Sequence, residues 1–418
     1  MLIRALLLSC GLGLVLSAPA FSAEERKPAS APAASVPDAK READAVKPAV
    51  PPPANGHAKD AAKEGPKDTG KDASKEVGKD AAKDAAKEPQ KPSPHIALIL
   101  PTESKSFGKV ADAVKSGFVA AALADGKEAP PYRVYATADD TTALAKEIRR
   151  ATSDGAILLA AGLTRDGANM LAREAGYLPA LALNAPAAND SELPERFFHV
   201  SLSLDSEARL LAKKIGDEGL KRIAIASSAS PLAKRVQDTF EKEWTRRGGE
   251  VAARLALTGA LEEGAKLATA FEKANADSAI VFADKKIARG ARPFFPQGLP
   301  VYATSYTIDP RADAVENLDL DGVRFLEMPW FVEADHPAVM AYAKPTEPMP
   351  IDLERLYALG IDAWRLANAL VKAEKLARFP PLDGVTGKIT LDGKQFVRTL
   401  TAAELRDGRI AARGGVTE

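Results

Sequence analysis

The chain has 418 residues, with 57 Lys and Arg residues against 57 Asp and Glu residues, so its formal net charge is +0 at pH 7. The cationic residues are spread fairly evenly along the sequence, whereas a nucleic-acid-binding surface needs clustered positive charge, so the composition argues against that class of partner. The single cysteine, Cys10, lies near the start of the chain. If this segment is removed from the mature protein, no disulfide remains, and a hydrophobic core must hold the fold.

Residues 1–23 have the composition of a secretory signal peptide. Arg4 precedes an apolar run, and small residues around Ala23 predict cleavage after it. The apolar run is too short for a membrane-spanning helix. Residues 7–11 loosely resemble a bacterial lipobox, and two interpretations of Cys10 stay open, an ordinary cysteine of the signal or a lipidated one. We expect a periplasmic protein, which lipidation would associate with the outer membrane.

Residues 24–94 form a low-complexity segment. The first part is rich in Ala and Pro, and the second repeats units such as Lys79-Asp80-Ala81-Ala82-Lys83. Because it has almost no Leu, Ile or aromatic side chains, the segment cannot offset the entropy of ordering and is predicted to be disordered. As a flexible coil of ~70 residues it would span about 45 Å. We interpret it as a passive tether, with binding of its lysines to an anionic cell-wall polymer as the alternative.

From residue 95 onward, predicted strands and helices alternate. The apolar run at 96–100 is typical of a strand buried on both faces of a parallel sheet, and Pro101 ends it. The predicted strands are 96–100, 132–136, 156–161, 180–183, 222–226, 279–283, 301–304 and 322–327. The first predicted helix begins at 108, and the others are 141–151, 165–175, 206–218, 232–248, 260–274 and 352–375. This alternation predicts βαβ units, while turn signals at Asp392-Gly393 and Asp407-Gly408 predict hairpins near the end.

No recognised catalytic motif occurs in the sequence. HExxH, GxSxG and Walker motifs are absent, and the mature chain offers no thiol beside a histidine. His95, His199 and His336 lie far apart without metal-ligand spacing, so we interpret them as surface or edge residues. The sequence therefore predicts a protein that is not an enzyme and that uses no metal and no cofactor.

Small polar residues follow many of the predicted strands. Hydroxyl groups and free backbone N–H groups at the carboxyl ends of strands suit a small zwitterion or a carboxylate. The candidate cleft or ligand-binding residues are Thr102, Ser104, Ser106, Leu163, Thr164, Asn184, Ser203, Asp205, Ser227, Asp284, Thr304 and Ser305. Each position also fits a helix cap or a turn, and that alternative stays open. As a set these residues predict a cleft, but they identify no ligand.

Four stretches of the predicted folded part carry a family pattern. The first is 96–101, followed by Phe107-Gly108 and by Ser116-Gly117-Phe118. The second runs from Tyr302-Ala303-Thr304-Ser305 to Met328-Pro329-Trp330. The third is the long predicted helix with Gly360-Ile361-Asp362-Ala363-Trp364, and the fourth is 382–389. In this order the stretches resemble the penicillin-binding protein activators of the LppC/LpoA type, over about 95–412.

The resemblance implies an α/β, two-lobed, type I periplasmic-binding-protein-like fold. Each lobe would be a parallel sheet flanked by helices, with a cleft between the lobes. The expected lobes are about 95–204 plus 306–388, and about 205–305 plus 389–412, followed by a tail at 413–418. The segment at 24–94 does not resemble the helical-repeat N-terminal domain of family members.

The same resemblance implies a non-enzymatic regulator of cell-wall synthesis. Family members bind a class A penicillin-binding protein, which is a bifunctional peptidoglycan synthase, and stimulate its transpeptidation. Trp330 has two interpretations. An exposed Trp330 would be a natural contact anchor for such a partner, whereas a buried one would belong to the core.

A second function stays open at this stage, that of a periplasmic solute-binding protein. Such a protein would deliver an amino acid or a similar small molecule to an ABC transporter. In that case Ser104, Ser106 and Thr164 would hold the carboxylate of the ligand, and Asp205 or Asp284 would hold its ammonium group. An enzyme of the cell wall is the third and weakest hypothesis, since no nucleophile–base pair is visible in the sequence.

Overall fold

The structure is a computed structural model, and it describes residues 92–260, 263–373 and 379–413. All of these residues lie in one compact unit, 83–418. The predicted signal peptide, Cys10, nearly all of the predicted tether and the tail at 414–418 fall outside the described residues, so those expectations stay predictions. None of the helices within the described ranges is long and apolar enough to cross a membrane.

The chain builds two successive alternations of strands and helices and then a closing segment. The first alternation is β1 (His95–Leu100), α1 (Gly108–Asp125), β2 (Tyr132–Ala136), α2 (Thr141–Ser153), β3 (Ala156–Ala161), α3 (Arg165–Glu174), β4 (Ala180–Ala182) and β5 (Phe197–Val200). The second is α4 (Leu204–Asp217), β6 (Arg222–Ser228), α5 (Pro231–Arg246), β7 (Glu250–Leu257), α6 (Gly264–Ala274), β8 (Ser278–Phe282), α7 (Lys285–Ala291), β9 (Val301–Ala303), α8 (Ala314–Asn317) and β10 (Val323–Glu327). The closing segment is α9 (Pro329–Val332), α10 (Pro337–Met340), α11 (Ile351–Lys372), β11 (Leu382–Gly384), β12 (Gly387–Asp392), β13 (Gln395–Thr399), β14 (Thr401–Arg406) and β15 (Arg409–Ala412).

These strands form two sheets, which confirms the predicted two-lobed α/β fold. The first sheet has the order β11-β12-β13-β5-β4-β3-β1-β2, and the second has the order β15-β14-β10-β9-β8-β6-β7. Strands β1 to β5 pair in parallel, as do β6 to β10. The closing segment adds antiparallel pairs at one edge of each sheet, so both sheets are mixed and not purely parallel.

The lobe boundaries differ from the predicted ones at β10, at most of β12 and at β13. Strand β10 lies within 306–388, which was assigned to the first lobe, yet it pairs with β9 in the second sheet. Strand β13 lies within 389–412, which was assigned to the second lobe, yet it pairs with β5 in the first sheet. The reason is that the described chain changes sheet three times, after β5, after β10 and after β13. Strand pairing across these crossings is long-range and leaves no local mark in the sequence.

The hydrophobic core covers both faces of each sheet. In β1 all six residues are buried, and their side chains alternate between faces. Leu98 belongs to the cluster that packs under α1 and α11, whereas Ile99 belongs to the cluster under α2 and α3. This alternation is what the period of two residues in a strand requires, and it confirms the interpretation of 96–100 as a strand buried on both sides.

Helices α1 and α11 cross at two glycines, and this contact fixes α11 on the first sheet. A Cβ on Gly360 would lie 2.1 Å from the Val114 carbonyl oxygen, and a Cβ on Gly117 would lie 1.9 Å from the Tyr357 carbonyl oxygen. Only residues without a side chain allow the two backbones to approach this closely. Beside the crossing, Trp364 packs edge-on against Phe118 with ring centroids 5.1 Å apart.

The sequence missed the strands β5 and β7 and the short helices α7 to α10, of which α8, α9 and α10 have only four residues each. Strand β5 has only four residues, and β7 is an edge strand whose side chains are mostly half-exposed, so neither gives a strong apolar signal. Helix α7 has only seven residues. The predicted hairpins are present: Asp407 and Gly408 both have positive φ, 53° and 69°, as a two-residue turn between β14 and β15 requires.

Candidate functional site

A cavity lies where the chain passes between the two sheets, and we name it the crossover pocket. Its volume is about 230 Å³. Ser203 from the first crossing, Met328 from the second and Leu400 from the third all line it, and so does the half-exposed Tyr306. The pocket therefore lies beyond the carboxyl ends of β5, β10 and β13. This is the region in which open α/β sheets bind ligands.

The floor of the crossover pocket contains a buried carboxyl group, that of Glu207 on α4. Its Oε1 accepts a hydrogen bond of 2.6 Å from the backbone N–H of Ser305, and its Oε2 accepts one of 2.6 Å from the Ser305 hydroxyl. Burial raises the pKa of Glu207 to about 7, because desolvation of the charged form outweighs the two hydrogen bonds that favour it. Glu207 thus titrates near neutral pH while it ties α4 to the loop after β9.

A second buried acid, Glu327 at the end of β10, pairs with Arg355 on α11. Arg355 Nη2 donates to Glu327 Oε2 at 2.6 Å and to the Ser305 carbonyl oxygen at 3.2 Å. Burial acts to lower the pKa of Arg355, but the charge of Glu327 and their hydrogen bond outweigh it and raise that pKa. The pair joins a helix of the first lobe to a strand of the second.

Arg398 on β13 completes the charged floor of the pocket. It is 9% exposed, and it donates to the carbonyl oxygens of Ser201 and Thr386, each at 3.1 Å. Burial lowers the pKa of Arg398, and within the described ranges its guanidinium makes no ion pair. Two carboxyl groups and two guanidinium groups thus share the floor, and most of their hydrogen bonds go to the protein itself. This arrangement holds the two lobes together, and it leaves few groups free for a ligand.

The predicted candidates Ser203 and Ser305 are the ones that line the crossover pocket. Ser203 caps α4, since its hydroxyl accepts from the Asp205 N–H at 3.2 Å. Ser305 donates its hydroxyl to Glu207. Thr304, which precedes Ser305, is buried at 2% exposure. The helix-cap alternative therefore describes Ser203, and both hydroxyls already have a partner within the protein.

The candidates in the loop between β1 and α1 include Ser104, whose hydrogen bonds stabilise that loop. The Ser104 hydroxyl donates to Asp139 Oδ2 at 2.8 Å and accepts from the N–H groups of Ser106 and Phe107. Ser104 is buried, Thr102 is half-buried and Ser106 is exposed. The expected capping of α1 by these serines takes a different form, because Ser104 stabilises the turn before Phe107 and no side chain caps the helix at Phe107 itself.

Leu163 and Thr164 line a separate small cavity at the carboxyl ends of β1 and β3. Its volume is about 20 Å³, which is room for a water molecule and not for an amino acid. Thr164 caps α3 by accepting from the Gly167 N–H at 3.0 Å. Asn184 donates its amide to the Leu163 carbonyl oxygen at 3.0 Å and so holds the same loop. This edge of the first sheet is therefore closed by its own side chains.

The remaining candidates have local roles in the second lobe. Asp205 pairs with Arg235 at 3.2 Å on the outer side of α4 and α5. Ser227 donates to the carbonyl oxygen of the next residue at 3.3 Å. Asp284 caps α7 by accepting from the N–H three residues on, at 3.1 Å. None of these three lines the crossover pocket. The structure therefore does not gather the twelve candidates into one ligand site.

Trp330 is buried, so its interpretation as an exposed partner anchor is wrong. It is 2% exposed, and its indole N–H donates to Glu354 Oε1 at 2.8 Å. Lys344 covers the ring, with its ammonium nitrogen 3.4 Å from the ring centroid. Glu354 in turn pairs with Arg311 of the second lobe. The core interpretation is the correct one, and the indole forms part of the contact between the lobes.

Two of the histidines interpreted as surface or edge residues are also buried. His95 is 1% exposed, and its Nε2 lies 2.9 Å from the Tyr135 hydroxyl. His199 is 6% exposed, and burial lowers its pKa. Each lies on an interior strand of the first sheet and not at the protein surface. No group of three or more potential metal ligands is found in the part of the chain that the structure describes.

Sequence reasoning missed the charged residues of the crossover pocket. Glu207 could not be distinguished from the acidic residues that are common in the first turn of a helix. Glu327 offered a clearer signal, because it is the charged last residue of an otherwise mostly buried strand. Arg355 and Arg398 gave no signal, since their partners lie on elements far away in the sequence.

Comparison with known proteins identifies the family of this chain. Residues 83–257 and 256–408 match the family model described as "LppC putative lipoprotein". The chain belongs to the LppC family. This confirms the predicted resemblance. The matched residues include every strand of the first sheet and every strand of the second sheet except β15.

Curated relatives of this LppC-family chain are longer than the matched region. The penicillin-binding protein activator LpoA of Enterobacter sp. (strain 638) is 25% identical over 303 residues, which are 62% of this chain and 41% of that protein. The chain thus spans about half the length, or less, of the curated relatives that it matches.

Solved structures give the same fold. The C-domain of Haemophilus influenzae LpoA, described as a regulator of PBP1A, has a TM-score of 0.63 and 23% identity, and the match covers 77% of this chain and 100% of that one. A Chromobacterium violaceum protein described as "a putative branched-chain amino acid ABC transporter" has a TM-score of 0.64 and 33% identity, with 75% and 100% covered. This LppC-family chain therefore has the two-lobed periplasmic-binding-protein-like fold that was predicted.

Proposed function

We propose that this LppC-family chain is a non-enzymatic periplasmic regulator that activates a class A penicillin-binding protein. The observation that carries the proposal is the family match over 83–257 and 256–408, because the curated relatives of this family are named penicillin-binding protein activators. The H. influenzae LpoA C-domain, a regulator of PBP1A, is covered along its whole length. The folded part of this chain thus corresponds to that entire domain.

The crossover pocket supports a regulator over a ligand carrier. Its buried carboxyl groups, those of Glu207 and Glu327, are hydrogen-bonded to Ser305 and Arg355, and its volume of about 230 Å³ is below the range of about 300–1,000 Å³ that is usual for ligand sites. Such a pocket fixes the two lobes relative to each other. A protein of this kind recognises its partner with its outer surface.

The N-terminal part of the chain fits the same function. Residues 1–23 would direct the chain to the periplasm, and 24–94 would act as a tether of about 45 Å between an anchor and the folded part. Lipidation of Cys10 would place that anchor in the outer membrane. Mass spectrometry of the mature N-terminus tests this, because a diacylglyceryl-modified cysteine has a mass that an unmodified N-terminus beginning after Ala23 does not have.

Co-purification tests the proposed partner. The mature chain is immobilised and incubated with each class A penicillin-binding protein of the same bacterium, with a class B enzyme as the control. We expect one class A protein to be retained and the class B enzyme to pass through. Retention of neither class, or of both equally, would contradict the proposed partner.

A second candidate function is favoured by one observation, the 33% identity to the C. violaceum protein described as a branched-chain amino acid ABC transporter. In this alternative the crossover pocket would hold an amino acid, with Arg398 facing the carboxylate. Calorimetry with leucine, isoleucine and valine separates the two functions. Micromolar binding that is lost in R398M would favour solute binding, whereas absence of heat would favour the regulator.

A further inference from the structure

The outer face of helices α4 and α5 carries a groove with an excess of positive charge. Its volume is about 690 Å³. We name it the α4–α5 groove and define it by its five cationic side chains, Arg209, Lys234, Arg235, Lys242 and Arg246. Only two carboxylates, Asp238 and Glu243, line it beside them. This local excess of three positive charges contrasts with a net charge of +0 for the whole chain.

Both carboxylates of the groove are already engaged. Asp238 pairs with Lys234 at 3.3 Å. Glu243 is shared between two guanidinium groups, those of Arg246 at 2.7 Å and Arg247 at 2.6 Å. Hydrogen bonds from Arg246 and then Arg247 hold the pKa of Glu243 at about 2, so it stays ionised at every physiological pH. The acids of the groove are thus neutralised by part of its cations.

Two cations of the groove have no such partner. Within the described ranges Arg209 and Lys242 form no ion pair, and the hydrogen bond of the Arg209 guanidinium goes to the Ser206 hydroxyl at 3.4 Å. Both side chains are exposed. An exposed cation is normally solvated, but here two of them face one concave surface together with three paired cations. This concentration of charge is what attracts an anionic partner.

The groove is extended, which limits the shape of its partner. Lys234 and Arg246 are twelve residues apart on α5, a length of about 18 Å along a helix. An extended peptide of five or six residues has the same length at about 3.3 Å per residue. A second cavity of about 260 Å³ adjoins the groove, shares Arg209 and Glu243 with it, and adds Lys213. The acidic Asp392 also lines this second cavity.

We propose that the α4–α5 groove binds an acidic peptide segment of a protein partner. The groove has an excess of only three positive charges, which favours a partner of moderate negative charge over a dense polyanion such as nucleic acid. A peptide in which carboxylates alternate with neutral residues has such a moderate charge, and its carboxylates can pair with Arg209 and Lys242. The inference rests on the proposed function for the identity of the partner, since the segment would belong to the synthase.

Charge reversal of the two unpaired cations tests the groove directly. The probe is a fluorescent eight-residue peptide of alternating Glu and Ala, and its anisotropy is measured with the full mature chain. R209E/K242E is expected to bind at least about tenfold more weakly than the wild type, because attraction becomes repulsion. The control K266E/K286E changes two exposed cations on α6 and α7 of the same lobe by the same charge, and it should bind within about twofold of the wild type.

A charge-conserving variant, thermal melts and a salt series complete the experiment. R209K/K242R keeps the charge and should retain binding, and thermal melts should show that all variants fold as the wild type does. Binding should weaken between about 0.1 M and about 1 M salt, across which the Debye length shortens from about 10 Å to about 3 Å. Equal binding by R209E/K242E and the control would overturn the proposal. So would absence of binding to the wild type, or displacement of the peptide by a disaccharide-tetrapeptide of peptidoglycan, which would make the ligand a cell-wall fragment.

The same variants separate this inference from the proposed function. If the wild type and R209E/K242E stimulate a class A synthase equally, the groove is not its docking site and the inference fails while the function stands. If the acidic peptide binds in the groove but no synthase is stimulated by the wild type, the proposed function fails while the groove stands.

Discussion

Arg355 on α11 and Glu327 at the end of β10 form a buried ion pair between the two lobes. The donor nitrogen and acceptor oxygen are 2.6 Å apart, and the side chains are 12% and 1% exposed. Helix α11 is fixed to the first lobe by the glycine crossing with α1, whereas β10 is a strand of the second sheet. The pair therefore couples the positions of the two lobes.

Removing one member of this pair is expected to be costly. R355M leaves Glu327 buried without a counter-charge and should lower the free energy of unfolding by about 3–5 kcal/mol, measured by urea denaturation. The double variant R355M/E327Q should recover much of this loss, because neither member of the pair is then left as an unpaired buried charge. R149M is the matched control, since it breaks the exposed Arg149–Glu174 pair and should cost less than about 1 kcal/mol. Equal losses in R355M and R149M would show that the interlobe pair does not join the lobes.

Glu207 should make stability depend on pH in a definite direction. Its pKa is about 7 in the folded protein, against an ordinary value of 4.5. Below pH 4.5 the group is protonated in both states, and between 4.5 and about 7 the folded state holds the proton more tightly. The contribution of Glu207 is thus fully present at acidic pH and is lost as the pH rises through about 7, by an amount on the order of 3 kcal/mol.

The variant E207Q isolates this effect. Gln cannot ionise, so the stability of E207Q relative to the wild type should rise as the pH increases through this window. Urea denaturation of both proteins on either side of the window measures the difference. Stability curves that stay parallel across it would show that Glu207 does not titrate near neutral pH in the folded protein.

Sequence patterns were sufficient to predict most of the strands, helices and turns, because the signals for these elements are local. The apolar run at 96–100, the helical faces and the Asp-Gly turn at Asp407-Gly408 each follow from neighbouring residues. The family pattern then supplied the two-lobed arrangement. What failed were the lobe boundaries at β10 and β13, because the pairing of these strands depends on parts of the chain that are distant in sequence.

The site was predicted less well for the same physical reason. Ser305 and Glu207 are 98 residues apart, and both appear in the sequence as ordinary cap or first-turn residues. Hydroxyls after strands were correctly recognised as a recurring feature, yet residues such as Thr164 and Asp284 use their side chains as helix caps. Trp330 was ambiguous because its burial depends on Glu354 and Lys344, which the sequence does not place beside it.

The α1–α11 crossing gives a test of the fold that needs no ligand. G360A would place a methyl group 2.1 Å from the Val114 carbonyl oxygen, so the helices must separate, at a cost of about 1–3 kcal/mol. The control G290A has no atom within 4 Å of its new Cβ and lies in α7, where Ala should stabilise by up to about 1 kcal/mol. Thermal denaturation of both variants measures the contrast. A G360A protein as stable as G290A would contradict the close approach of the two helices.

Burial of Trp330 predicts that its replacement affects folding before it affects binding. W330A should lower the free energy of unfolding by about 3–5 kcal/mol, because it removes a buried indole and leaves Glu354 Oε1 without the indole N–H that donates to it. Tyr177 is the control, since it is 97% exposed and Y177A should change stability by less than about 0.5 kcal/mol. A W330A protein with unchanged stability and reduced partner binding would restore the interpretation of Trp330 as a surface anchor.

Activation of a class A penicillin-binding protein is decided by measuring its transpeptidation in the presence of the mature chain. The cross-linked fraction of newly made peptidoglycan is measured as the concentration of the chain rises, with heat-unfolded chain as the control. We expect cross-linking to increase and reach a plateau with the folded chain and to stay unchanged with the unfolded chain. A cross-linked fraction that stays at the level of the synthase by itself, for every class A synthase of the same bacterium, would contradict it.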